Sequence, residues 1–239
     1  MRRVLVTGGG TGIGRTIARA FAEAGDAVTI CGRRMEPLQE AAVGFDMELR
    51  QVDVTDEASV AALFDEPFDV VVANAGAGHA SRLENTSLEV WNSTLSVTLT
   101  GVFLTFRSAL PSMKAGGRLI AIASTASLQG GANIPAYAAA KHGVLGLVRS
   151  VAQDVAKKGI TCNAVCPGFV DTDMAETAIS GVMNRFNMDR EEATKFVVSG
   201  NPMERLIVPD EVAASVMFLA STGAASVNGH ALSVSGGEI

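Results

Sequence analysis

Tyr137 and Lys141 are the side chains of this sequence best suited to move a proton. Four residues apart, they share one face of a helix, which sets an ammonium beside a phenol. A phenol titrates near pH ~10, too high for a base at neutral pH. An adjacent cation stabilises the phenolate and lowers that value, so the pair is suited to trading a proton with an alcohol or carbonyl oxygen. Tyr137 is the single tyrosine in the chain, against ten phenylalanines, so aromatic bulk elsewhere needed no hydroxyl. Upstream, Ser124-Thr125-Ala126-Ser127 places three hydroxyls at the end of an apolar run. Any of them could hydrogen-bond the reacting oxygen, and periodicity does not choose among them.

A second constellation fits a dinucleotide. Val4-Leu5-Val6-Thr7-Gly8-Gly9-Gly10-Thr11-Gly12-Ile13-Gly14 reads as a strand, a glycine-rich turn and a helix start. Glycines let the backbone turn sharply and approach a pyrophosphate, and the helix start offers unpaired N–H groups to the anion. Roughly 20 residues on, an acidic residue would hold the ribose 2′-hydroxyl of NAD. The sequence has Gly32-Arg33-Arg34 there. An arginine pair can grip a 2′-phosphate bidentately. This predicts NADP(H), with Arg33 the first candidate and Arg34 the second, and NAD(H) as the alternative. Asp53-Val54 closes the third strand, where a carboxylate can accept from the adenine amino group. Asn74-Ala75-Gly76 closes the fourth, where small residues permit close passage under the adenine ribose. A bound, positively charged nicotinamide would add to the lysine in stabilising a phenolate.

These residues need a scaffold that brings them to one edge. Short apolar runs at Val4–Thr7, Ala27–Cys31, Glu48–Val52, Phe68–Ala73, Arg118–Ala123, Ile160–Cys166 and Ala231–Val234 read as strands, most of them buried on both faces. Amphipathic stretches at Ile13–Ala24, Met35–Val43, Glu57–Phe64, Thr86–Leu110, Ala136–Lys158 and Asp210–Ser221 alternate with them. That order predicts a doubly wound α/β fold: about seven parallel strands with helices on both faces, one domain over 1–239. The segment Asp173 to Arg205 breaks the alternation. Met174, Met183, Phe186, Met188 and Phe196 sit there on helical spacings, and it is read as a helical lid over the substrate.

The 239 residues are 48% hydrophobic and 18% charged, which excludes a disordered tail. A net charge of -6 without a block of Lys or Arg argues against nucleic acid and anionic membranes. Three cysteines, Cys31, Cys162 and Cys166, do not suggest a disulfide scaffold, and no paired His or further Cys completes a metal site. Neither an export signal nor a stretch of the ~20 apolar residues that span a bilayer is visible. A reduced, cytoplasmic setting is expected.

Several motifs together resemble the short-chain dehydrogenase/reductase family. Ser124 and Tyr137-Ala138-Ala139-Ala140-Lys141 match its Ser and Tyr-x-x-x-Lys. Thr7-Gly8-x-x-x-Gly12-x-Gly14, Asn74-Ala75-Gly76 and Asn163-Ala164-Val165-Cys166-Pro167-Gly168 match in order, and the likeness runs through Ser235-Gly236-Gly237. The resemblance implies a Rossmann-type fold and hydride transfer between NAD(P) and a carbonyl/alcohol pair. It implies that Tyr137 is the general acid/base, that Lys141 also holds the nicotinamide ribose, and that Ser124 orients the substrate oxygen. It further implies that Thr172, after Pro167-Gly168-Phe169-Val170-Asp171, binds the carboxamide with help from the Val170 backbone. A looser similarity points to ketoreductases of 3-oxoacyl thioesters and polyketides. The family's pairing of its long helices across a two-fold axis implies a homotetramer or homodimer.

Two positions depart from the family's pattern. Val97-Thr98-Leu99-Thr100-Gly101 carries Thr98 where an Asn is usual, a residue tied to the proton relay toward the lysine. Ser235 stands where an Asp is common and has no functional reading from sequence. The leading reading is an NADP(H)-dependent carbonyl reductase or alcohol dehydrogenase acting on a small molecule of 3-oxoacyl or alicyclic type. The alternatives are an NAD-linked dehydrogenase and a non-catalytic nucleotide-binding regulator, which would have lost Tyr137 or Lys141.

Overall fold

The computed structural model describes all 239 residues. Seven strands form one parallel sheet: β1 (Arg3–Thr7), β2 (Ala27–Gly32), β3 (Met47–Gln51), β4 (Val70–Ala73), β5 (Arg118–Ile122), β6 (Thr161–Pro167) and β7 (Ala231–Val234). Their spatial order is β3-β2-β1-β4-β5-β6-β7. The strands β4, β5 and β6 are buried at every position, as near-continuous apolar runs require. The edge strand β3 is only partly buried and carries the ion pair Glu48–Arg50, which suits an edge that must not pair further.

Nine α-helices surround the sheet: α1 (Gly12–Glu23), α2 (Met35–Ala42), α3 (Glu57–Ala61), α4 (Leu88–Leu95), α5 (Gly101–Ala109), α6 (Pro135–Val155), α7 (Asp173–Phe186), α8 (Arg190–Val197) and α9 (Pro209–Leu219). α1, α2 and α9 bury Ile17, Phe21, Leu38, Val216 and Leu219 on one face. α3, α5 and α6 bury Val60, Phe106, Val144 and Val148 on the other. Two separate cores, one per face, follow from a sheet that turns apolar side chains both ways. The chain leaves β3 and returns beside β1 as β4, so the sheet order reverses between β1 and β4. Ligands of open α/β sheets bind at that point, outside the carboxyl ends of the strands.

The helix expected over Thr86–Leu110 forms, running without a gap from α4 into α5, but it carries an irregular turn. A 3₁₀ turn (Leu83–Asn85) precedes α4, and a π turn (Ser96–Thr100) joins α4 to α5. A π turn adds one residue to a helical turn, and the sequence names no breaker residue at its place. The expected lid segment forms α7 and α8. Arg190 grips Glu176 through two bonds of 2.5 and 2.6 Å, and the Phe186 and Phe196 rings lie 5.5 Å apart. No helix is long and apolar enough to cross a membrane.

Candidate active site

The carboxyl ends of β1 and β4 are tied together by side chains. The Thr7 hydroxyl accepts the N–H groups of Asn74 (3.0 Å) and Ala75 (3.1 Å). In return the Asn74 amide donates to the carbonyls of Thr7 (3.0 Å) and Gly8 (3.1 Å). Asn74 is thereby committed to shaping the glycine loop, while Ala75 and Gly76 line the cleft beside it. Gly8 (φ 65°) and Gly12 (φ 49°) occupy the left-handed region that favours glycine. A Cβ on Gly14 would lie 2.2 Å from the Gly8 carbonyl oxygen, so the loop closes only around a glycine. The Thr11 side chain does not cap α1, which leaves the first N–H groups, at Gly12, Ile13 and Gly14, without a side-chain acceptor.

A cleft of about 320 Å³ runs along this edge. On the β2–β3 side it is lined by Arg33, Arg34, Asp53 and Val54. Both arginines are exposed, and neither guanidinium is paired with a carboxylate. Asp53 Oδ1 accepts the Thr55 N–H (2.9 Å) and hydroxyl (2.8 Å). Those bonds hold its carboxyl below the ordinary range and keep it charged, with Oδ2 left over as an acceptor.

On the opposite side α6 delivers Tyr137 and Lys141 to the same cleft. The Lys141 ammonium donates to the Ile122 carbonyl at the end of β5 (2.7 Å) and lies 5.6 Å from the centre of the Tyr137 ring. It is 4% exposed, and burial lowers its pKa from 10.5 to about 8. The expected lysine-driven depression of the phenol is not what the folded chain produces. Burial raises the Tyr137 pKa, with the Ser124 side chain pulling against it. The cause is burial of the phenol, which outweighs the Ser124 side chain; the Lys141 ammonium meanwhile lies over the ring and donates to Ile122.

Of the three candidate hydroxyls, Ser127 accepts the Ser124 N–H (3.2 Å) and Thr125 is buried. Ser124 caps the 3₁₀ turn Thr125–Ser127 through the Ala126 N–H (3.1 Å) and is the hydroxyl that acts on Tyr137.

Thr98 sits within the π turn, fully buried. Its hydroxyl donates to the Ala77 carbonyl (2.9 Å) and accepts the Ala77 N–H (3.2 Å). It thus grips both ends of the backbone that leads to Gly78. A Cβ on Gly78 would lie 3.1 Å from the Tyr137 ring, so that backbone passes close to the ring.

Thr172 reaches the cleft at the start of α7, its hydroxyl donating to the Val170 carbonyl (3.1 Å) and its methyl 3.3 Å from a Cβ placed on Gly12. Pro167, Gly168 and Val170 do not line the cleft. Pro167 ends β6, the Gly168 N–H is taken by Val234 (3.1 Å), and Val170 bridges Ile207; together they set the path that brings Thr172 in. Sequence reasoning missed the bracing by Thr7, the Gly78–Tyr137 contact and the Ile122 carbonyl. Thr7 alone had a signal, its place directly before the glycines.

The comparisons with known proteins match this geometry along its whole length. The family model described as enoyl-(acyl carrier protein) reductase matches residues 8–238. A 3-oxoacyl-[acyl-carrier-protein] reductase of Vibrio harveyi is 36% identical, over 98% of this chain and 95% of its own. A D-beta-hydroxybutyrate dehydrogenase of Cupriavidus necator is 32% identical, over 100% of this chain and 98% of its own. The crystal structure of a single-residue variant of actinorhodin polyketide ketoreductase with NADPH superposes with a TM-score of 0.92 at 35% identity, covering 99% of this chain and 97% of that one. With Ser124, Tyr137 and Lys141 gathered at the carboxyl edge of a Rossmann-like sheet, the chain belongs to the short-chain dehydrogenase/reductase family of oxidoreductases.

Proposed function

We propose that this chain is an NADP(H)-dependent ketoreductase that interconverts a ketone and a secondary alcohol. The observation that carries the reading is one cleft holding both Tyr137–Lys141 and two unpaired arginines. The residues fit the coenzyme. Gly8, Gly12 and Gly14 leave room for a pyrophosphate against the start of α1. Arg33, then Arg34, would hold a 2′-phosphate; Asp53 Oδ2 would accept from the adenine amino group beside Val54; Ala75 and Gly76 would pass under the ribose. Thr172 would hold the carboxamide, and Lys141 the nicotinamide ribose. Bound NADPH supplies the hydride.

The protein's own groups handle the oxygen and its proton. Ser124 holds the carbonyl oxygen against Tyr137, and the phenol donates the proton as that oxygen gains charge. A phenol raised by burial is protonated at neutral pH, which suits the reductive direction. In the reverse direction the positive charge of oxidised nicotinamide would join Lys141 in favouring phenolate. Thr98 serves the site through the Ala77 peptide it grips. The segment 173–205 covers the substrate, with Met174 lining the cleft at its start. A 3-oxoacyl thioester or alicyclic ketone is the substrate class favoured by the relatives' names and by the apolar residues of that segment.

The test follows absorbance at 340 nm with NADPH and with NADH. The panel includes 3-oxoacyl thioesters, alicyclic ketones and a 2-enoyl thioester, the last because of the family model's description. NADPH consumption with a ketone supports the proposal. Consumption with the enoyl thioester alone, or with none of the panel, overturns it.

A further inference from the structure

Ser235, which replaces a common Asp, folds the last residues back on the molecule. It is 4% exposed; its hydroxyl lies 2.8 Å from that of Ser233 and accepts the Ile239 N–H (3.4 Å). Gly236 (φ 65°) and Gly237 (φ 94°) make the turn. A Cβ on Gly236 would lie 2.0 Å from Asn201 Oδ1, so the turn is pressed onto the residues that follow α8. Asn201 is itself fixed, donating to the Arg205 carbonyl (2.8 Å) and accepting the Met203 N–H (2.8 Å).

The fold-back delivers Glu238 to a defined place. One carboxylate oxygen accepts Gln129 Nε2 at 3.0 Å. The other is 3.1 Å from a Cβ placed on Gly168, and its side chain is 3.6 Å from one placed on Gly200, so Glu238 packs over both glycines. Gln129 lies in the connection, residues 128–134, that joins the turn after Ser124 to the helix carrying Tyr137. The far end of that connection is tied too: the Ser81 N–H donates to the Asn133 carbonyl (2.7 Å).

We propose that Glu238 is a positioning residue for the substrate: through Gln129 it fastens the loop between Ser124 and Tyr137 to the end of the α7–α8 segment and so sets the width of the substrate entrance. The proposal rests on the carbonyl-reduction reading for its kinetic consequence, not for the clamp itself. The clamp faces solvent, so its weight is that of one exposed, charge-assisted hydrogen bond. It touches no residue of the coenzyme cleft described above, so coenzyme affinity is insensitive to it.

Five proteins test it: wild type, Glu238→Ala, Glu238→Gln, Gln129→Ala and the double variant Glu238→Ala/Gln129→Ala. Glu238→Ala raises KM for a long 3-oxoacyl thioester by about 3- to 10-fold, the range of one such bond. It leaves kcat, KM for a small cyclic ketone and the Kd for NADPH unchanged. Glu238→Gln restores KM, because its amide oxygen accepts the same bond, and the double variant is no worse than either single one. Additive single effects, an unchanged KM, or an equal loss of NADPH affinity overturns the proposal. Hydrogen exchange of residues 128–134 reads the clamp without turnover. Faster exchange in Glu238→Ala supports it even if no ketone is reduced, and unchanged exchange overturns it.

Discussion

Replacing Lys141 by Met should make the protein more stable at neutral pH while destroying its activity. The ammonium is buried, and its pKa falls from 10.5 to about 8. At ~1.36 kcal/mol per unit, holding that charge in the fold costs about 3 kcal/mol relative to the unfolded chain. Removing it also strips the Ile122 carbonyl of its donor, a loss of about 1 kcal/mol. The balance favours Met by about 2 kcal/mol, or about 4–8 °C in Tm for a domain of this size. The pH dependence fixes the cause. An unfolded lysine keeps its proton up to pH 10.5, whereas the folded one releases it near 8. Between these values the unfolded state binds more protons, so the wild type gains stability as pH rises and Met loses its advantage. The advantage is complete below pH 8 and gone by pH 10.5. Thermal unfolding by circular dichroism at pH 7 and pH 10, at one protein concentration, measures it. A Met variant less stable at pH 7, or equally favoured at both pH values, refutes the reasoning.

Arg33→Ala should lower the NADPH/NADH ratio of kcat/KM by about 10- to 100-fold, the weight of a charge-assisted phosphate contact, and Arg34→Ala by less; an unchanged ratio in both removes the 2′-phosphate assignment. Gly14→Ala forces a methyl to 2.2 Å from the Gly8 carbonyl and 2.4 Å from the Asn74 amide, so calorimetry should detect no NADPH uptake, and wild-type affinity would contradict the loop geometry. Phe103 on α5 is 40% exposed beside the faces expected to pair across a two-fold axis. Light scattering should find a tetramer or dimer that Phe103→Asp breaks into smaller species, and a monomeric wild type would contradict the pairing.

The parts legible in the sequence were those with local causes. Strands such as β5 and β6 are buried on both faces and therefore read as unbroken apolar runs. The glycine loop was legible because only glycine closes at Gly8 and Gly14, and Tyr137–Lys141 because four residues make one helical turn. What stayed hidden depends on partners distant in the chain. The π turn at Thr98 exists alongside a grip on Ala77, 21 residues away, a partner no local pattern names. Periodicity alone could not separate Ser124 from Thr125 and Ser127, whose difference lies in which backbone groups they cap; the spacing of Ser124 to the Tyr-x-x-x-Lys motif, by resemblance, did. The direction of the Tyr137 shift depends on burial, which no spacing encodes. Glu238 meets Gln129 across 109 residues, and nothing in either neighbourhood announces it.

The central claim is that the Tyr137 phenol transfers the proton to the substrate oxygen beside a bound NADPH. Single-turnover reduction of a 3-oxoacyl thioester by wild type and Tyr137→Phe, each shown by titration to bind NADPH equally, tests it most directly. The account predicts a fall in rate of about 10²- to 10⁴-fold, the range for a positioned general acid, with coenzyme affinity unchanged. A Tyr137→Phe protein that reduces the thioester at the wild-type rate would contradict it.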